Sequence, residues 1–198
     1  MTINSILNLL DRAAVLENVI PCLGNEKEED VYKANFLDLK LYFRVLIDDN
    51  LSAKVTKDMM KHFRITDLEL VSRATRNLKR RFMTQTLSSA LFGMTGNSMF
   101  ECDDDIILMS TSDMRFGASV MMLADKLDDI VKEKGVDELY VIPSSIHEVL
   151  VIPKTENGLT KSEVDTMICD INEAVVAPDD RLSNHAYIYK KGSVRVEM

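Results

Sequence analysis

Cysteine is scarce in this chain of 198 residues, and its three copies, Cys22, Cys102 and Cys169, are odd in number and far apart. That pattern excludes a disulfide framework and a close-spaced zinc site, and leaves free thiols that are buried or partly buried. Long apolar runs are missing too. Although 46% of the residues are hydrophobic, no run approaches the roughly eighteen residues a membrane span needs. The opening Met-Thr-Ile-Asn-Ser-Ile-Leu-Asn-Leu-Leu lacks a basic segment ahead of its apolar residues and a small-residue cleavage site after them. A secretory signal is not expected, and the cytoplasm is the expected location.

Positive charge is in deficit, with 24 Lys and Arg against 32 Asp and Glu, for a net charge of −8. General binding to nucleic acid or to anionic membrane needs a positive field, so neither is expected. Tryptophan is absent while methionine numbers twelve, which points to a core filled by adaptable, unbranched side chains.

What is present reads as one domain spanning 1–198, with subregions 1–97 and 98–198 meeting at a flexible connection around Gly93 and Gly96. Residues 6–19 carry helical spacing and run into an extended Val19-Ile20 before Pro21. Phe36 to Ile47 alternates, with Leu37, Leu39, Leu41, Phe43 and Val45 on one face, and reads as a strand. Asp48, Asp49 and Asn50 turn the chain into a short partner at Ser52–Val55. Thr56 caps a short helix, and Thr66 with Glu69 forms a capping box for a longer one from Asp67 to about Phe82, continuing toward Leu91. Its inner side is Leu70, Val71, Ala74, Leu78 and Phe82, and its outer side is Arg73, Arg76 and Arg80.

The second half reads strand (Ile106–Met109), helix (Phe116–Lys134), strand, strand, helix (Thr160–Val175), strand (Ala186–Tyr189), with a terminal strand at Val194–Val196. The fold class expected is therefore α+β, with a mixed or antiparallel sheet and a C-terminal split βαβ half of ferredoxin-like form. Its central hairpin is Leu139 to Pro153, two Val/Ile-rich runs around Pro143, Ser144 and Ser145.

That hairpin also gathers Ser144, Ser145, His147 and Glu148, the residue types of nucleophilic hydrolysis. Turn formation and local hydrogen bonding account for the same residues without chemistry, and no Gly-x-Ser-x-Gly elbow occurs. His185 joins His147 and Glu148 as a weak metal-binding set if the last strands lie beside the hairpin. Asp103, Asp104 and Asp105 lack the alternating ligands and central glycine of a calcium loop, so no metal is expected. No glycine-rich phosphate loop occurs either, and no cofactor is expected. Arg73, Arg76 and Arg80 form the one concentrated basic surface. It suits phosphate or an acidic protein, no aromatics interleave to stack bases, and solvation of an exposed helix face or pairing with Glu69 is the commoner use of such arginines.

Four stretches carry a resemblance: Phe36-Leu37-Asp38-Leu39, Arg64 to Leu70, Tyr140 to Pro153 with Ile-Pro-Ser-Ser-Ile-His-Glu-Val at its centre, and Ala177 to Tyr187. On these the chain resembles a family of uncharacterised proteins of clostridial gut bacteria (gut Firmicutes), catalogued as a domain of unknown function. A more distant similarity is to another uncharacterised bacterial family. The resemblance implies a bacterial or phage-related cytosolic origin and no catalytic residue, and this copy looks shorter at its N-terminus than typical members. The leading expectation is a noncatalytic cytosolic binding or regulatory protein with a protein partner. The alternatives are a phage or mobile-element inhibitor whose acidic surface engages a host nucleic-acid-binding enzyme, and a hydrolase using the Ser144/Ser145/His147 region.

Overall fold

The computed structural model describes residues 10–95, 105–174, 176–190 and 192–195. The chain forms two compact units, Met1–Arg81 and Phe82–Met198. The first carries 14 Lys and Arg against 12 Asp and Glu, a net +2; the second carries 10 against 20, a net −10.

The first unit begins with α1 (Arg12–Asn18), capped by Asp11, whose carboxylate accepts from the Ala14 N–H. Residues 6–9 of the expected first helix lie outside the described residues. The chain continues through β1 (Val19–Gly24), β2 (Lys33–Phe36), β3 (Leu39–Leu46), β4 (Ser52–Lys54), α2 (Lys57–Phe63) and α3 (Asp67–Arg81). β3 is the organising strand, with β1 antiparallel on one side and β2 and β4 on the other. The alternation from Phe36 to Ile47 is thus two elements. Phe36 pairs with Leu39 across a two-residue turn, and Leu37 adopts φ 56°, the positive value such tight hairpin turns call for. Asp48 accepts from the Asn50 and Leu51 N–H groups and shapes the following turn.

α3 packs on β1, and α1 packs on α3. Leu70, Ala74 and Leu78 are buried as expected, and each leucine contributes roughly 1.5–3 kcal/mol by leaving water. Val71 is not part of this stripe. It is exposed, and Asn77 is buried instead. The helix ends at Arg81, short of the length its pattern suggests.

The second unit opens with β5 (Phe82–Thr86), where a continuing helix was expected. Phe82, Thr84 and Thr86 suit a pleated surface, and an antiparallel partner overrides local helix preference. There follow α4 (Leu87–Thr95), β6 (Ile107–Thr111), a 3-10 turn (Gly117–Met122), α5 (Ala124–Lys134), β7 (Glu138–Ile142), β8 (Glu148–Lys154), α6 (Lys161–Ala174), β9 (Tyr187–Lys190) and β10 (Ser193–Arg195). The single helix expected from Phe116 to Lys134 is broken at Leu123, which leaves helical dihedrals at φ −85°, ψ 80°. Thr160 and Glu163 form a reciprocal capping box for α6. Val175 and Val196, read as ends of the last helix and strand, lie outside the described residues, as does Gly96.

All strand pairs are antiparallel, in the order β10-β9-β7-β8-β6-β5. The α+β class holds. The ferredoxin-like order does not: that order would put the last strand of the split motif beside its first, β6, whereas β9 pairs with β7. The reason lies in packing the sequence does not display: Tyr187 and Tyr189 are fully buried, and the Tyr189 hydroxyl is held by Ala124 and Asp128 of α5. One core cluster sets Tyr140, Ile142, Ala186 and Ile188 against Val164 and Ile168 of α6. Met167 and Ile171, expected on the inner face of that helix, are exposed, and Asn172 is buried.

Candidate functional site

The connection between β7 and β8 is pinned by backbone. Ser144 O accepts from the Leu182 N–H at 3.0 Å, the Ile146 N–H donates to Asp180 O at 2.9 Å, and the Ala118 N–H donates to Ile146 O at 3.2 Å. Ser145 bridges to Arg181 in the same strip. Ser144 and Ser145 are buried by this clamp.

The Ser145 hydroxyl donates to Glu148 Oε1 at 2.6 Å and accepts from the His147 N–H at 3.0 Å. This is the turn a serine makes with its own neighbours. The imidazole of His147 accepts at Nδ1 from the Phe116 N–H at 3.4 Å, and its Nε2 lies 3.6 Å from Asp180 Oδ1. The Phe116 ring lies over it, with centroids 5.8 Å apart. Each ring nitrogen therefore has a structural neighbour, and the Ser145 proton points at a carboxylate rather than at the imidazole. A serine-histidine relay requires that hydroxyl on an imidazole nitrogen.

Phe116 itself is held in the left-handed region at φ 54°, as is Met114. Thr111 Oγ1 braces the loop, accepting from the Arg115 N–H and donating to Arg115 O. Gly117 follows in a slot with no room for a side chain, because a Cβ there would meet Ser110 Oγ, His147 O and Ser110 Cα.

His185 belongs to the turn ahead of β9. Its N–H donates to Ser183 Oγ, its Nδ1 lies 3.3 Å from Ala186 O, and its ring packs on Tyr187. Among the described residues no group of three or more His, Cys, Asp or Glu is placed to hold a metal ion. Asp103 and Asp104 lie outside the described residues, and Asp105 accepts from Lys134 at 2.7 Å. Cys22 is a buried free thiol whose pKa burial pushes up, and Cys169 is free and half-buried. Cys102 lies outside the described residues.

Of the arginines on α3, Arg80 turns back on its own unit, reaching Asn77 Oδ1 and Glu17 O. Arg73 and Arg76 remain exposed. Both carboxylate oxygens of Glu69 accept from Arg12 Nη2 of α1, at 2.7 and 2.6 Å, rather than from its helical neighbours. The helix's other solvent flank carries Val71 and Leu68, the latter 81% exposed.

The turn from α2 to α3 opens a groove of about 600 Å³, lined by Thr66 and Asp67 at the start of α3. Its floor is the buried Met60 and Ile65 with the half-buried Tyr32, and its rim is Lys57, Lys61 and Arg64. Arg64 closes α2 in the left-handed conformation, φ 53°, so that Ile65 can donate to Met60 O and Thr66 can cap α3. Burial, and then the hydrogen bond to Asp67, hold the Tyr32 hydroxyl's pKa up. A second charge cluster lies on the second unit's sheet, where Glu138 accepts from Lys154, Lys190 and Arg195. Hydrogen bonds from Lys154 and Lys190 bring its pKa down to about 2.

Neither Asp180 nor Phe116 was anticipated around His147, although Asp180 lies within one of the stretches that carry the family resemblance. Nothing in the sequence spacing announces the groove, whose lining residues come from Tyr32, α2 and the turn into α3. No helix among the described residues is long and apolar enough to cross a membrane. A family of unknown function, DUF5688, matches residues 16–191. No curated protein and no solved structure matches the chain.

Proposed function

The chain belongs to that family, which carries no assigned activity, and we propose that it is a noncatalytic protein-binding domain whose α2–α3 groove receives an acidic partner segment. The observation that carries this reading is the groove itself, an apolar floor of Met60 and Ile65 under Lys57, Lys61 and Arg64, with Leu68, 81% exposed, one residue past the lining Asp67 at the first turn of α3. One exposed leucine is ordinary, but Leu68 and Val71 stand exposed three residues apart on one flank of α3, at the turn that opens the concave apolar groove. Lys57, Lys61 and Arg64 outnumber the one acid of the lining, Asp67, and keep a net positive rim even with Lys61 paired to Asp58, while Arg73 and Arg76 add a basic flank on α3. The partner is thus a segment with an apolar anchor flanked by Asp or Glu.

A photoreactive amino acid at position 68 tests the reading. Cross-linking in the native host should recover one dominant adduct, on an acidic segment. Reversing the rim with Lys57→Glu, Lys61→Glu and Arg64→Glu should cut its yield roughly ten-fold or more, with the largest effect at low salt. Adducts indifferent to charge reversal would sink the proposal.

The division of charge favours a second reading, an acidic inhibitor of a nucleic-acid-binding protein, because the acids concentrate in the second unit at net −10. Duplex DNA should then compete for a captured partner. Failure to compete would remove this reading and leave the first standing.

A further inference from the structure

The two edges of the six-stranded sheet are treated differently. At one end β10 is three residues long and carries Arg195, the short, charged kind of edge that resists pairing. At the other end β5 is Phe82-Met83-Thr84-Gln85-Thr86, five residues with neither charge nor proline.

The phase of the ladder shows which groups that edge offers. The Leu87 N–H donates to Ile106 O at 2.9 Å, and the same register pairs Gln85 with Leu108 and Met83 with Ser110. Hydrogen-bonded pairs alternate along an antiparallel ladder, so these odd-numbered residues face β6 and the even-numbered ones face away. Phe82 C=O, Thr84 N–H, Thr84 C=O and Thr86 N–H therefore point off the sheet. Among the described residues no hydrogen bond reaches them.

Phe82, Thr84 and Thr86 also line one wall of a groove of about 300 Å³, and α5 forms the other wall with Ile130, Asp129 and Glu133. Lys126 Nζ lies over the Phe82 ring at 5.6 Å and pairs with Asp129 at 3.5 Å. The helix therefore runs alongside β5 in the same direction. Glu133, one turn further on, is left without an ion partner among the described residues, toward the Thr86 end.

We propose that β5 is a strand-addition site, at which an extended basic peptide segment of a partner protein pairs with Thr84 and lies in the groove between β5 and α5. Main-chain bonds to the four free groups hold the segment, and alternate side chains select it. A residue pointing inward opposite Thr84 meets Ile130 and Ile107 and is apolar. A Lys or Arg two positions along meets Glu133. The −10 charge of this unit draws such a segment in. A second copy does not complement the site, because antiparallel self-pairing about Thr84 would lay Phe82 against Thr86 and Glu133. This surface is independent of the α2–α3 groove.

Selection of displayed random peptides against the full chain tests it. Enriched sequences should alternate apolar or β-branched residues with polar ones and place Lys or Arg at a fixed spacing. Thr84→Pro removes a donor that faces outward and leaves the β5–β6 ladder intact, and it should weaken the selected peptides at least ten-fold. Glu133→Lys, on the exposed helix surface, should weaken them several-fold with an unchanged melting temperature, and covers the case in which the proline variant does not fold. An empty selection, peptides indifferent to both substitutions, or a self-dimer abolished by Thr84→Pro would each overturn the proposal.

Discussion

Asn77 ties down Leu16 from 61 residues away: its amide nitrogen donates to Leu16 O at 3.0 Å and to Val19 O at 2.8 Å. Those carbonyls end α1 and begin β1, and they lack intrahelical partners of their own. Arg80 donates to the amide oxygen and fixes which way the amide faces. Replacing Asn77 with Leu should cost about 2–4 kcal/mol, since it strands two buried acceptors. Asn77→Asp should cost more, because a carboxylate would face two carbonyls. Urea titration checks both, with a lower midpoint at constant slope.

Acid should weaken the second unit through Glu138. Its pKa is lowered to about 2 from the 4.5 of a free glutamate, so the unfolded chain binds the proton more readily. The stabilisation is present above about pH 4.5 and is lost as pH falls toward 2. Glu138→Gln should flatten that limb and lower stability by about 1 kcal/mol at neutral pH, a small figure because the cations are partly exposed. A limb as steep as in the parent chain would assign the acid sensitivity to other carboxylates.

Gly117→Ala should destabilise by about 2–4 kcal/mol, since the new methyl meets Ser110 Oγ and the His147 carbonyl at once. Adding Ser110→Ala should recover only part of the loss, because the backbone oxygen stays. Full recovery in the double variant would place the strain in the serine alone.

Ser145→Ala removes the donor to Glu148 and the acceptor for the His147 N–H. The expected loss is about 1–3 kcal/mol of unfolding free energy, as for a partly buried carboxylate left short of a partner. Unchanged stability would mean that the turn does not depend on the hydroxyl.

The parts legible in the sequence are those written over three or four residues. Thr56, Thr66 and Thr160 with Glu163 cap the helix starts as read, whereas Glu69, read as the other half of a box with Thr66, gives its carboxylate to Arg12; the Leu139–Pro153 hairpin stands where its two apolar runs put it. What failed depends on partners far along the chain. β5 looks helical until β6 pairs with it, Leu37 looks like strand until Phe36 meets Leu39, and nothing local announces that Asn77 and Asn172 are interior. The site divides the same way. Ser144, Ser145, His147 and Glu148 are neighbours by spacing, while Asp180 and Phe116 reach His147 through topology.

In the split sheet, β8 lies between the like-directed β6 and β7, and β7 between the like-directed β8 and β9. Each crossover is therefore closed by a strand that belongs to the other, so neither can reach its final pairing alone. The β7–β8 hairpin is the most local of these pairings and offers both flanking strands their docking edges, so the region should gain its protection from hydrogen exchange cooperatively. A chain severed between Lys154 and Lys161 would keep the β5-β6-β8-β7 ladder in its first piece and leave α6, β9 and β10 in a second that should order only on the first.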